Sequence, residues 1–328
     1  MNVEITSCLR GSRLREWKKL IEASGLIADT SVDQTVLVWD GDELIATGSR
    51  AENIFKYIAV KADRQGEDLT ATVISALRKE AFADGYKHLF LYTKPENKMI
   101  FSSLFFYPIA STDKVLLMES RKDGITEFIS SLSATVREGK IGALVMNCNP
   151  FTLGHLYLIE RAARECDHVY VFVLSEDKST FSAEDRIAMV RLGTEHLPNV
   201  TVLPTGPYLI SSATFPTYFI KDRESVTEIQ CQLDIEIFAR YFAPAFSVNV
   251  RYVGTEPLSP TTEKYNRALA EHLPRYNIEL VQIERAEVDG MPISASLVRE
   301  LIKKGEHDKL SSLLPRTTIE YLYSHNLI

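Results

Sequence analysis

An apolar run, Ile141-Gly-Ala-Leu-Val-Met146, is followed closely by Thr152-Leu-Gly-His155 and then by an amphipathic run from Leu156 to Cys166. No other stretch limits the fold so sharply, because it reads as a strand, a tight turn carrying Gly154 and His155, and a helix. The same alternation continues to the end of the chain. Strands are predicted at 141–147, 168–174, 200–204, 248–254 and 278–283, and helices at 155–166, 183–197, 230–242, 262–272, 295–304 and 316–325. Strand and helix in turn predict an α/β fold, a doubly wound parallel sheet covered by helices on both faces.

The residues before this region have a different rhythm. Thr35–Trp39 and Glu43–Gly48 flank Asp40-Gly-Asp and read as a hairpin. Phe55–Val60, His88–Tyr92 and Val115–Met118 read as further strands, and Leu69–Asp84 reads as a helix closed by Gly85. This is an α+β pattern. We therefore divide the chain into a unit over residues 1–122, a connecting helix or linker over 123–138, and a second domain over 139–328. The length agrees with about two domains.

Composition narrows the class. The net charge of −7 argues against nucleic acid and acidic membrane as partners. No apolar run approaches the ~18 residues of a membrane helix, and Met1–Trp17 is polar, without the apolar stretch of a secretory signal. Cys8, Cys148, Cys166 and Cys231 are scattered, with no CxxC pair, so a disulfide or metal framework is not expected and the cytoplasm is the expected compartment. His88, His168, His196, His272, His307 and His325 show no ligand spacing either, so no metal site is expected.

In a doubly wound sheet, ligands sit beyond the carboxyl ends of the strands, where the loop Asn147–His155 falls. Gly154 permits close backbone approach to a phosphate, the helix start offers free N–H groups, and Thr152 and His155 supply hydrogen-bond donors. Taken alone, the turn reads more readily as a capped helix start. A second motif, Ile293-Ser-Ala-Ser-Leu-Val-Arg299, begins another helix after the non-helical Gly290–Ile293. Ser294 is either a simple N-cap or, with Ser296 and Arg299, part of a phosphate grip. Arg299 lies five residues past Ser294 and has to reach back to join it. Lys178, after the second strand, is a candidate cation for phosphate or activated substrate, and equally a solvated loop lysine. Arg186 follows the helix cap Ser182 and reads as a surface ion pair or a ligand. Gly254-Thr-Glu256 follows a strand and is either a nucleotide contact or a plain turn. Cys148 reads as filler.

The two motifs together resemble the paired signature of the nucleotidyltransferase superfamily, T/HxGH with ISSTxxR. The longer strings Met146–His155, Ile210–Pro216, Tyr218–Lys221, Val253–Pro257 and Met291–Ser296 resemble the citrate lyase ligase family. So do Ile58–Val60, Arg64–Glu67 and Leu91–Glu96 in the front half, so the resemblance covers essentially the whole chain. It implies a GNAT-like α+β domain followed by a Rossmann-like nucleotidyltransferase domain. It also implies ATP with Mg²⁺ on its phosphates, acetate as the small substrate, and an acetyl-adenylate intermediate. The acetyl group then passes to the thiol of the dephospho-CoA-type prosthetic group on the citrate lyase acyl carrier protein.

By matching positions, the resemblance places Thr152, Gly154 and His155 on the α-phosphate and Ser294, Ser296 and Arg299 on the leaving pyrophosphate. The expected catalytic residues are His155, Thr152 and, from its place after the second strand, Lys178, and the expected nucleotide contacts are Asn147, Asn149, Phe151, Gly154, Gly254, Glu256, Ser294, Ser296 and Arg299. The phosphate loop of GNAT proteins has a small residue where this chain has Asp68, in Gln65-Gly-Glu-Asp68. The front unit therefore docks the prosthetic group, binds the carrier protein or supports the fold. Two other functions share these motifs: an adenylyltransferase of the pantetheine-phosphate type, which keeps AMP on its product, and a non-catalytic acyl-group binding protein.

Overall fold

A computed structural model describes residues 1–133, 136–176, 179–209, 223–255, 260–288 and 290–328. Lys178, Glu256 and the strings at 210–216 and 218–221 lie outside the described residues. The chain divides into two compact units, Met1–Gly124 with Phe215–Leu233, and Ile125–Thr214 with Asp234–Ile328.

The first unit comprises β1 (Asn2–Thr6), α1 (Gly11–Ala23), β2 (Gln34–Asp40), β3 (Glu43–Ala51), β4 (Ile54–Val60), α2 (Leu69–Ala83), β5 (Phe90–Thr93), α3 (Lys98–Ser103), β6 (Tyr107–Ser111) and β7 (Leu116–Glu119). Its strands form one sheet in the order β1-β2-β3-β4-β5-β7-β6. All neighbours are antiparallel except β4 and β5, which are parallel and pair at Ile54↔Phe90 and Phe55↔Leu91.

Strand alternation sorts the side chains onto two helices. Val36 and Val38 face the cluster built on α2 with Val73 and Leu77, whereas Leu37 faces α1 with Trp17 and Ile21. The parity changes along β4. Phe55 joins the α2 side, but Tyr57, at φ +55°, joins the α1 side, where the register against β3 slips. An extra residue in one strand of a pair has this effect, and the sequence reading of a plain strand did not foresee it. At Gly48 of β3 a Cβ would stand 2.4 Å from Val73 Cγ1, so this glycine is what lets α2 lie close on the sheet.

The second unit begins with α4 (Gly124–Ser131), then β8 (Ile141–Met146), α5 (Leu153–Glu165), β9 (His168–Val173), α6 (Ala183–Thr194) and β10 (Val200–Pro204). After α7 (Arg223–Ile237), whose residues up to Leu233 group with the first unit, a π turn at Phe238–Phe242 and α8 (Ala243–Ala245) come β11 (Val250–Gly254), α9 (Pro260–His272) and β12 (Glu279–Ile283). A hairpin of β13 (Glu287–Val288) and β14 (Met291–Pro292), then α10 (Ala295–Lys304) and α11 (Arg316–Ser324), close the chain. The sheet order is β10-β9-β8-β11-β12 with every pair parallel, the α/β architecture expected from the alternation.

β8 leads to β9 and β10 on one side, and the chain then returns to lay β11 and β12 on the other. The order of strands therefore reverses at the junction of β8 and β11, where such sheets place their ligands. The core beneath is apolar, with Leu144, Ile159, Val171, Met189, Val298 and Leu322 all buried.

Candidate active site

Two helix starts meet beyond the carboxyl ends of β8 and β12. At α5, Thr152 is the N-cap, in extended conformation, and forms a capping box with His155. Thr152 Oγ1 accepts from the His155 N–H at 3.3 Å, and the Thr152 N–H donates to His155 Nδ1 at 3.0 Å. Thr152 Oγ1 lies 2.9 Å from the same Nδ1. Because Nδ1 accepts a backbone N–H, the neutral ring carries its proton on Nε2. Enclosure of the half-buried ring, reinforced by the Arg285 charge, pushes the His155 pKa down to about 4. At neutral pH His155 is an uncharged donor. The Leu153 N–H is taken by the Leu313 carbonyl, and the Gly154 N–H has no protein acceptor among the described residues.

At α10, Ser294 is the N-cap and accepts from the Ser296 N–H at 3.2 Å. Arg299 resolves the question of its reach. Its guanidinium donates to Ser296 Oγ at 3.1 Å and to the Asn149 carbonyl at 2.6 Å. One side chain thus ties the second motif to the loop of the first. Gly154 fits the same join: a Cβ there would meet Ile293 at 3.4 Å.

The loop between β8 and α5 is held from below. Arg186 is 0 % exposed, so the surface ion pair allowed by the sequence is not what this residue forms. It donates to the Asn147 carbonyl and side-chain oxygen, to the Phe181 and Ser182 carbonyls, and to the Glu176 carbonyl. A buried guanidinium needs such a set of acceptors, and here they fasten two loops together. Asn149 is buried, and its side-chain oxygen accepts from the Phe181 N–H at 3.1 Å. Phe151 is wholly buried, stacks 6.0 Å from the His155 ring, and fills the space left by Gly193 on α6. The Asn149 side-chain oxygen and the Phe151 ring are both engaged within the protein and hold the loop. Cys148, buried and at φ +51°, has its thiol pushed up by burial, in keeping with filler.

Between the two helix starts lies a cleft of about 440 Å³ lined by Thr152, Gly154, His155, Arg285, Ser294 and Ser296, among others. Gly254 stands at the end of β11 and gives its carbonyl to Asn266 Nδ2 at 2.9 Å. Arg285, beyond the end of β12, was missed in the sequence. It belongs to neither motif, and only its place after a strand end marks it. Thr262 and Leu158, which also line the cleft, carry no motif signal at all.

The first unit has its own helix start after a glycine. α2 is preceded by Gly66 at φ +94° and by Asp68 at φ +56°, which makes no side-chain cap bond. Arg64 is engaged by Asp40 and Glu67, and Lys61 by Glu43 and Asp63. A cleft of about 770 Å³ opens there, lined by Ile58, Val60, Gly66, Asp68, Thr93 and Phe101, among others. Its described lining carries Asp63, Asp68 and Glu96 beside Lys61 and Lys94, each lysine next to a carboxylate, so it offers a pyrophosphate no clear excess of positive charge. No described helix is long and apolar enough to cross a membrane.

A switch-point cleft between two helix starts defines an α/β protein built to hold a phosphorylated ligand. The model of the citrate lyase ligase C-terminal domain matches residues 141–322. The citrate pro-3S-lyase ligase of Klebsiella pneumoniae is 38% identical over 303 residues, covering 90% of this chain and 89% of that one. Its counterpart in Escherichia coli K12 is 38% identical over 317 residues, covering 94% and 90%. A phosphopantetheine adenylyltransferase of Symbiobacterium thermophilum is 45% identical over 67 residues, 20% of this chain and 41% of its own length. The chain belongs to the citrate lyase ligase family, and it is an enzyme, a ligase.

Proposed function

We propose that this enzyme activates citrate lyase by acetylating the prosthetic-group thiol of its acyl carrier protein, with ATP and acetate as substrates. The observation that carries this reading is the pairing of a neutral His155 Nε2–H donor with two helix starts on one cleft, in a chain of this family. A carboxylate oxygen of acetate attacks the α-phosphorus of ATP, the bond to the bridging oxygen breaks, and pyrophosphate leaves. No proton moves in this step, so a neutral donor suits it better than an acid. Charge growing on the α-phosphate oxygens is met by His155 Nε2–H, the Gly154 N–H and the end of the α5 dipole. Pyrophosphate is held by the start of α10, Ser294, Ser296 and Arg299. In the second step the thiol sulfur bonds to the acetyl carbon, the bond to AMP breaks, and the thiol proton is released.

Lys178, from its place after the second strand, is assigned to the activated substrate, and Glu256, within the family string Val253–Pro257, to the nucleotide, with Asn147 and Gly254 as further contacts. Mg²⁺ enters on the triphosphate. Among the described residues no group of three or more His, Cys, Asp or Glu is placed to hold a resident metal. The front unit, taken as residues 1–122, serves carrier-protein docking, and the enzyme works in the cytoplasm.

The test is release of AMP and pyrophosphate from ATP, Mg²⁺ and acetate, with and without deacetylated citrate lyase. Lyase-dependent AMP with restored citrate cleavage is expected. The local match to a phosphopantetheine adenylyltransferase favours a second reading, transfer of AMP to pantetheine phosphate. An adenylylated product formed without free AMP would replace the first reading with it.

A further inference from the structure

Asn147 stands directly after β8 and is exposed, while the next residue, Cys148, is wholly buried at φ +51°. Its side-chain oxygen is held from within the protein. Arg186 donates to Asn147 Oδ1 at 2.6 Å and to the Asn147 carbonyl at 3.0 Å, and Ser179 Oγ donates to the same Oδ1 at 3.4 Å. A guanidinium only donates, so the end of the amide that faces it has to be the oxygen. Turning the amide over would set N–H against N–H beside a buried cation. The guanidinium cannot move aside to allow this, because its Nε is held by the Phe181 and Ser182 carbonyls and its other end by the Glu176 carbonyl. Nδ2 is therefore directed away from Arg186, and no described residue accepts from it.

We infer that Arg186 is a positioning residue that turns the Asn147 amide so that its Nδ2–H donates to the carboxylate of the acid substrate. This rests on the adenylate-forming reading. The contacts of Asn147 run to Ser179, beyond β9, and to Arg186 on α6, whereas the cleft between the helix starts is lined from α5, α9, the segment after β12 and α10. β8 lies between β9 and β11 in the sheet, so the two sets flank the loop after β8 on opposite sides. In the proposed reaction pyrophosphate leaves within the cleft, at the start of α10. The attacking and leaving oxygens lie roughly in line across the phosphorus, so the acid enters from the flank that Asn147 occupies. A neutral amide suits this task, since it fixes one carboxylate oxygen by a hydrogen bond and leaves the other free to attack.

The experiment is acetate-dependent exchange of labelled pyrophosphate into ATP, beside a thermal melt, on the full chain and on Asn147→Asp and Asn147→Leu. Aspartate keeps an oxygen for Arg186 and replaces the donor with a second oxygen. The KM for acetate is expected to rise about 100-fold in Asn147→Asp and about tenfold in Asn147→Leu, with the KM for ATP within about threefold in both. The melting temperature should hold or rise in Asn147→Asp and fall in Asn147→Leu, because only leucine withdraws an acceptor from the buried guanidinium. Arg186→Lys completes a cycle. Its rise in the KM for acetate should vanish in the Asn147→Leu background, where a merely structural loss would persist. If Arg186→Lys does not fold, the contrast between the Asn147→Asp and Asn147→Leu melts decides the orientation. An unchanged KM for acetate, or a rise in the KM for ATP in its place, overturns the assignment of Asn147. Equal melting losses in the two Asn147 variants, or an equal effect of Arg186→Lys in both backgrounds, overturns the role of Arg186. Absence of acetate-dependent exchange in the unaltered chain overturns the adenylate reading and this inference with it.

Discussion

Each unit starts a long helix with a glycine close by, Gly66 before α2 and Gly154 in the first turn of α5, yet the two starts have opposite chemistry. At α5 the N-cap threonine and His155 satisfy each other, and their spare donors face a cleft whose described lining side chains include Arg285 and no carboxylate. At α2 the N-cap is Asp68, at φ +56°, with Glu67 and Asp63 nearby and with Lys61, Arg64 and Lys94 each beside a carboxylate. The helix dipole is the same in both. What differs is whether side chains add donors or carboxylates to it. A helix start is therefore an anion site only by permission of its first few residues.

The comparison breaks most visibly at His155. His155→Ala removes the Nε2–H donor and half of the capping box. Loss of a donor aimed at developing charge is expected to cost about 10²–10³ in the rate of AMP formation, whereas the lost cap costs only about 1 kcal/mol of stability. A pyrophosphate-exchange assay beside a thermal melt separates the two. A variant that melts normally and keeps full turnover would leave α5 no more catalytic than α2.

Arg299→Met comes next. It removes the tie between Ser296 and the Asn149 carbonyl. The KM for ATP is expected to rise about tenfold and stability to fall by about 2 kcal/mol, since bonds from a charged donor are lost. Chemical denaturation with kinetics on the same preparation checks both. A stability loss without a KM change would make Arg299 a tie and nothing more.

The third prediction concerns pH. His155 is held well below its ordinary value, to about 4, first by enclosure and then by Arg285. Between that value and the ordinary 6.5, the unfolded chain binds the proton and the folded one does not. Stability from this group is therefore complete above pH 6.5 and lost as pH falls towards 4. Protonation of Nδ1 also ends its acceptance of the Thr152 N–H. Melting temperature is expected to drop across that window by more in the unaltered protein than in His155→Asn. Activity should persist well below pH 6.5. An acid limb centred on 6.5 would show a solvated imidazole.

These effects trace to residues that differ in how plainly the sequence displays them. The parallel sheet was legible strand by strand, because β8 to β12 are short apolar runs separated by helices of clear period. The front unit was less so. β1, α1, α3 and β6 were not foreseen: β1 is a mostly exposed edge strand, and Lys98–Ser103 is too short to show a helical period. Within the site, Thr152, Gly154, His155, Ser294 and Ser296 line one cleft, as the pairing of the two motifs suggested, and Arg299 joins them by reaching back, which its spacing alone did not suggest. Arg186 looked like a surface residue because a charge beside a helix cap normally is one, and only the fold supplies the carbonyls that bury it. Arg285 has no local signature, since its place at the cleft depends on two strand ends that lie far apart in sequence.

The smallest expected effect lies at α2, and it tests the rule from the other side. Asp68→Gly places at φ +56° the residue that adopts it without steric cost, and removes one carboxylate from the helix start. Relief of the left-handed strain is offset in part by the greater freedom of glycine in the unfolded chain, so stability should change by less than about 1 kcal/mol. ATP turnover should be unaltered. Removing one charge near a helix N-terminus is worth about 0.3–1 kcal/mol towards an anion, about a two- to fivefold gain in affinity for a diphosphate-bearing thiol such as coenzyme A. Titration calorimetry at low salt on Asp68→Gly, and on Asp68→Gly with Glu67→Gln, reads this directly. A stepwise gain would show that carboxylates alone close this helix start to anions. No gain in either variant would mean that the loop backbone, rather than its charge, is what separates α2 from α5.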